Sequence, residues 1–349
     1  MRKATGLLAV LTILGCQRAG ADRPAKHDKP PPDPALQLDA HARVLPPIRV
    51  QSLALTPIVS TDPPGQDDDL LVLDEAMPKK LVEIKEVAGG SVNNLQLTNR
   101  ADQPLFLLAG EVIIGGKQDR IIGSNTIIPP KTTQDVPVFC VEHGRWTGES
   151  NEFTTAKALA HGRLRGHASF DTQQAVWDEV AAKNEQRKTT TSTGTYRHVA
   201  EQEQGGATLD WEKQIDAALA KVDAGDRAKL IGFAVSLNGK VATIDRFSSP
   251  KLFGKLQGKL VRSYITEALD VPADAAAKVP TAADVKTFIA DAEQAKAEPA
   301  YETPAAASEL KKGDYAEKAK VIYKKGYMGK SAGKPEPPAK AVYETYQAR

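Results

Sequence analysis

The amino-acid sequence predicts an α+β protein: a β-rich, sandwich- or barrel-like unit, helices packed on it, and a later β-hairpin-plus-helix module. Three patterns lead there. Apolar or alternating runs parted by turn residues recur at roughly ten-residue spacing from Ile48 to Val141. Beyond Trp146 the apolar period changes from two to between three and four. Asn238-Gly239, a preferred pair for a tight hairpin turn, is flanked by alternating residues and followed by a long helical stripe.

Taken in order, the 349-residue chain opens on Arg2 and Lys3, then an apolar run from Ala4 to Leu14. That run is too short for a mature membrane-spanning helix. It ends in Ile13-Leu14-Gly15-Cys16, which resembles a bacterial lipobox and implies cleavage before Cys16 and lipidation of its thiol. Residues 1–16 are thus expected to be a lipoprotein signal peptide, and several acyl chains would hold the protein stably on a membrane. Gln17, not Asp, follows the cysteine, which points to the outer membrane, facing the periplasm or the exterior. With Cys16 consumed, Cys140 has no partner for an intramolecular disulfide, so stability must come from the core.

Residues 17–44 read as a tether, since Pro24, Pro30, Pro31, Pro32 and Pro34 favour polyproline II. The globular region is expected over 45–271. Strands are predicted at Ile48 to Leu55, Leu81 to Val87, Val92 to Thr98, Leu105 to Leu108, Ile121-Ile122, Thr126 to Ile128 and Val136 to Val141. Asp74 is a candidate cap for a short helix through Lys80. Thr147 to Gly166 is polar and reads as irregular. Asp171 is the expected cap of a helix from about Thr172 to Lys188. Thr189 to Gly206 reads as a mobile loop, and Trp211 to Val222 as a second amphipathic helix. Leu230 to Phe247 is the hairpin, and Ser248 or Ser249 caps the helix after it. This module needs a partner surface and is expected to pack on the first β unit. Residues 272–349 are rich in Ala, Lys and Pro and are expected to be partly ordered, with a helix over Ala282 to Ala295 and a terminal strand near Tyr315, Val321-Ile322-Tyr323 or Tyr343.

The 46 basic and 44 acidic residues leave a net charge of +2, which gives no basis for a nucleic-acid binder. Candidate site residues concentrate between Leu105 and Trp146. Gly115-Gly116 permits close backbone approach to a ligand. Glu111, Lys117, Gln118, Arg120, Glu142, Arg145 and Trp146 surround it in sequence and are the expected ligand-binding residues. The spacing is wrong for a Walker A loop. The bland alternative is a tight turn whose Lys117 and Arg120 pair with Glu111, Asp119 or Glu142 and only lock the fold. Cys140 and His143 raise the question of thiol catalysis, though a cysteine between Phe139 and Val141 reads better as a small core residue. His161 and His167 read as solvated. Trp146 and Trp177 could stack on a ring or serve the core, and Gln173, one turn from Trp177, could share its pocket. No metal-ligand spacing is present, and no cofactor is expected.

Gly110-Glu111, then Gly115 to Arg120, then Pro137 to Trp146 resemble the core of the ADP-ribosylglycohydrolase- and rhodanese-phosphatase-superfamily-associated protein domain. The Asn238-Gly239 hairpin and the Ser249 to Leu269 helix are similar to its later part, so the resemblance spans about Leu45 to Leu269. It implies company with systems that handle ADP-ribose or other nucleotide-derived molecules. The leading expectation is a lipid-anchored envelope protein that binds a small anionic ligand, nucleotide-derived if the resemblance carries over. The alternatives are a hydrolase of an ADP-ribose-like or phosphorylated compound using Glu111 or Glu142, and a structural envelope protein. Protein partners are not legible.

Overall fold

The structure is a computed structural model that describes residues 36–62, 69–87, 91–147, 152–324 and 340–349. Cys16 and most of the expected tether lie outside those residues. Ala42–Val44 (β1) is a strand, although it falls in the stretch read as a tether. Ile48–Val50 (β2) turns at Gln51 (φ 54°) into Leu53–Ser60 (β3), and both β1 and β2 pair antiparallel with β3. Leu73–Ala76 (α1) follows, capped at Val72 with no side-chain bond. Asp74, read as its cap, is used elsewhere.

Val82–Glu86 (β4), Asn94–Asn99 (β5), Leu105–Leu107 (β6), Glu111–Gly115 (β7), Arg120–Ile122 (β8), Thr126–Ile128 (β9) and Thr132–Cys140 (β10) follow. All but β7, for which no strand is expected, overlap strands that alternation and turn residues predict. Phe153–Leu159 (β11) and Gly162–Phe170 (α2) occupy the stretch read as irregular. Gln173–Arg187 (α3) is capped by Thr172 rather than by Asp171, whose carboxylate instead binds His167 Nδ1 at 2.8 Å. The expected mobile loop contains Arg197–Gln202 (α4), with Tyr196 and Val199 fully buried. Gly206–Leu219 (α5) and Ala224–Arg227 (α6) lead to the hairpin of Leu230–Leu237 (β12) and Lys240–Phe247 (β13). Asn238 and Gly239 both take positive φ, 44° and 80°, as a tight turn of that hand requires.

Pro250–Ala268 (α7) is the axis of the fold. Ser249 caps it, accepting from Leu252 N–H at 3.1 Å. The chain continues past residue 271 through Ala282–Gln294 (α8), Lys296–Glu298 (β14), Ala306–Lys312 (β15), Ala316–Tyr323 (β16) and Lys340–Ala348 (β17). The helix expected over Ala282 to Ala295 is α8, and in place of the expected terminal strand stand β14 to β17.

Among the described residues, one antiparallel sheet runs β1-β3-β12-β13-β17-β16-β15-β14, with β2 also on β3. A second runs β11-β7-β8-β10-β5-β4, and β6 pairs with β9. The inner face of the large sheet (Leu55, Phe233, Val235, Phe247) packs on Leu252, Phe253, Leu256, Leu260 and Tyr264 of α7. Its outer face (Ile231, Ala234, Ile244) packs on Val285 and Ala292 of α8. Helices on both faces explain why β12 is apolar almost throughout. Each such Leu or Phe contributes roughly 1.5–3 kcal/mol on burial. The other side of α7 reaches β7 and β11, so the hairpin-plus-helix module does pack against the first β unit.

Candidate functional site

Gly115 (φ 127°) and Gly116 (φ 52°) turn β7 into β8, and no larger residue fits there. A Cβ on Gly115 would lie 2.4 Å from Glu152 O, and one on Gly116 2.2 Å from the Phe153 ring. The turn delivers Asp119, fully buried, into the middle of a charge network. Its carboxylate accepts from Gly115 N–H at 3.1 Å, Thr195 Oγ1 at 2.8 Å, Arg197 Nε at 3.0 Å and Nη2 at 2.9 Å, and Arg145 Nη2 at 3.2 Å. Glu142 Oε2 lies 2.7 Å from Arg145 Nη2 and accepts from Asp119 N–H at 3.0 Å. Gln118 donates to Glu142 O at 2.6 Å and accepts from Arg120 Nη1 at 3.2 Å. Arg120 Nε is buried with no hydrogen-bond partner among the described residues.

Five of the predicted residues, Gln118, Arg120, Glu142, Arg145 and Lys117, thus meet around one turn. Lys117 and Trp146 form its outer lip. The Lys117 ammonium stands 5.9 Å from the centre of the Trp146 ring, and Trp146 is 55% exposed. Glu111 is apart from them, at the other end of β7. It is buried, bonded to Lys259 Nζ of α7 and accepting from Leu108 N–H at 2.9 Å. Lys259 also holds Asp74 at 3.0 Å, which in turn binds Thr155 Oγ1 at 2.7 Å. Burial pushes the Glu111 carboxyl up, while Lys259 pulls against it. Burial disfavours the Lys259 charge as well, but Glu111 and Asp74 outweigh that and raise it.

Cys140 does not meet His143. Its backbone N–H and C=O are held by the two ends of the Gln173 amide, each at 2.9 Å. Burial pushes its thiol up, which favours the inert form. His143 packs edge-on against Trp177 at 4.5 Å, so Gln173 and Trp177 of α3 brace the end of β10 and the residues just after it. His161 is fully buried, contrary to the solvated role read for it. Tyr196 Oη lies 2.9 Å from its Nδ1 and Glu179 Oε1 2.8 Å from its Nε2. Burial pushes this imidazole below its usual range, against the pull of Glu179.

Three contributors escaped the sequence reading. Arg197 and Thr195 come from the supposed loop and sit on no apolar period. Lys259 was findable: Leu252, Leu256, Lys259 and Ser263 share one stripe of α7, and a lysine on a buried stripe signals a buried partner.

A family model described as ARPP-1, the ARG and Rhodanese-Phosphatase-superfamily-associated Protein domain, matches residues 41–332. No curated protein and no solved structure matches.

Proposed function

The chain belongs to the ARG and Rhodanese-Phosphatase-superfamily-associated Protein domain family, and on that premise we propose that it is a lipid-anchored envelope protein binding a small anionic ligand at the lip of the glycine turn. One observation favours binding over turnover. The carboxylates that would have to move protons are already committed to cations, Glu111 to Lys259 and Glu142 to Arg145. A general acid or base must instead reach the substrate directly or through one water. Lys117 beside the exposed indole of Trp146 remains available to a visitor. An ammonium pairs with a phosphate or carboxylate, and an indole face takes a base or sugar ring. The anchor rests on the Met1 to Cys16 pattern.

The ligand part is tested by titration calorimetry of the full-length protein with ADP-ribose, AMP and inorganic phosphate. Lys117→Ala and Trp146→Ala should each weaken the best binder about tenfold without changing the melting temperature. No binding by any of them, or binding unaffected by both variants, defeats it. Cys16→Ser should move the protein from the membrane to the soluble fraction.

The structural reading keeps one observation of its own. Asp119, clamped by two arginines at zero exposure, is how a fold is locked.

A further inference from the structure

We propose that a cleft beside α2 is a second binding site, for a small zwitterion of the amino-acid or short-peptide class. The cleft has a volume of about 390 Å³, within the range of small-molecule sites. It exists because α2 carries glycine at two positions one turn apart on the face turned toward it. A Cβ on Gly162 would lie 3.5 Å from Thr243 Oγ1 and 3.8 Å from Glu267 Oε2. One on Gly166 would lie 2.7 Å from Gln347 Oε1. Polar atoms from β13, α7 and β17 therefore converge on the space the missing side chains leave.

Two of those groups call for a hydrogen-bonding visitor. Thr243 and Gln347 are register partners across β13 and β17, and each is 4% exposed. Neither side chain has a hydrogen-bond partner among the described residues. Both line the cleft, so their hydroxyl and amide can bond a molecule that enters it.

The charges around them are of both signs, and most are paired at the rim. Glu267 Oε2 accepts from Arg163 N–H at 3.1 Å, at the start of α2. Glu317 lies 3.2 Å from Arg349 Nε. Arg163, whose guanidinium is mostly exposed and lies 3.6 Å from Glu179, also lines the cleft. His167 and Lys312 hold Asp171 at 2.8 and 2.6 Å and close one end. A simple anion would meet Glu267 and Glu317. A simple cation would meet Arg163 and Arg349. A molecule with an ammonium at one end and a carboxylate at the other satisfies both, and its middle reaches Thr243 and the Gln347 amide. Leu237, Ala242 and Ala348 offer a shallow apolar wall for a small side chain. This site is independent of the glycine turn.

The test is titration calorimetry of the full-length protein with L-alanine and alanyl-alanine, then with N-acetyl-alanyl-alanine and alanyl-alanine amide. The first pair should contain a binder. Acetylation, which removes the ammonium, and amidation, which removes the carboxylate, should each weaken it at least tenfold. Gly162→Leu fills the cleft at a helix position with ordinary backbone geometry, and a leucine is a better helix former than glycine. It should lose binding at least tenfold while melting no lower than the parent. Gln347→Leu should weaken binding too, and Lys117→Ala should not. No binding of either zwitterion at ~10 mM, well above the millimolar range of weak complexes, overturns the proposal. So does a Gly162→Leu protein that folds normally and binds undiminished. A sugar or nucleotide that binds here when the zwitterions do not overturns the ligand class.

Discussion

Glu203, at the end of α4, should make the protein less stable as pH rises through neutrality. Its carboxyl is 1% exposed, and neither oxygen has a hydrogen-bond partner among the described residues. The Thr266 hydroxyl, the Leu159 backbone, Arg262 and Arg187 are its polar surroundings. Burial pushes this carboxyl up to about 8 from an ordinary 4.5, because these neighbours offset only part of the cost of a buried anion. The folded protein therefore keeps a proton that the unfolded chain releases near 4.5. Between those pH values the folded state binds more protons, so stability falls as pH rises. The favourable contribution is complete below about 4.5 and lost by about 8. The gap corresponds to roughly 5 kcal/mol, an upper bound because water entry relieves a buried anion. Glu203→Gln keeps the shape and cannot ionise. Its stability relative to the parent, from urea midpoints between about pH 4.5 and 9, should climb by about 2–5 kcal/mol. Other titrating groups are common to both proteins and cancel. A difference constant to within about 0.5 kcal/mol across that range would refute the reasoning.

Asp119→Ala leaves Arg145 and Arg197 facing each other over a gap and should cost about 3–5 kcal/mol in denaturant unfolding; a loss below about 1 kcal/mol would mean the network is not holding the turn. Two glycine substitutions should act in opposite directions. Gly110 has φ 91° and a Cβ there would lie 2.5 Å from Arg165 Cγ, so Gly110→Ala should destabilise by about 1–3 kcal/mol. Arg165 cannot retreat, because Asp245 and Tyr343 hold its guanidinium at 2.8 Å. Gly254, inside α7 with nothing within 4 Å, should tolerate Ala with a gain of about 0.5–1 kcal/mol. Melting curves of the two variants check both signs.

What was legible in this chain is what is local. Alternation placed β4 and β5, the Asn238-Gly239 turn placed β12 and β13, and Ser249 before a three-and-four stripe placed α7. The glycine turn and its charged residues stood out because positive φ and side-chain chemistry belong to the residues themselves. The stretches that escaped have no such local signature. α2 buries Leu164, Arg165, Gly166 and Ala168, which is no apolar stripe, and it is held by the Arg165–Asp245 pair 80 residues away. In β16 the sequence marked the Val321-Ile322-Tyr323 end; the segment before it buries Glu317 and Lys318, and Lys318 is paired with Glu293 of α8. The sequence by itself determined the α+β class, the main strands and the seat of the charged turn. The tertiary structure alone decided which charge meets which: Asp119 meets Arg197 across 78 positions and Glu111 meets Lys259 across 148. A charge chooses its partner by distance in space and by the cost of burial, and neither quantity is written along the chain.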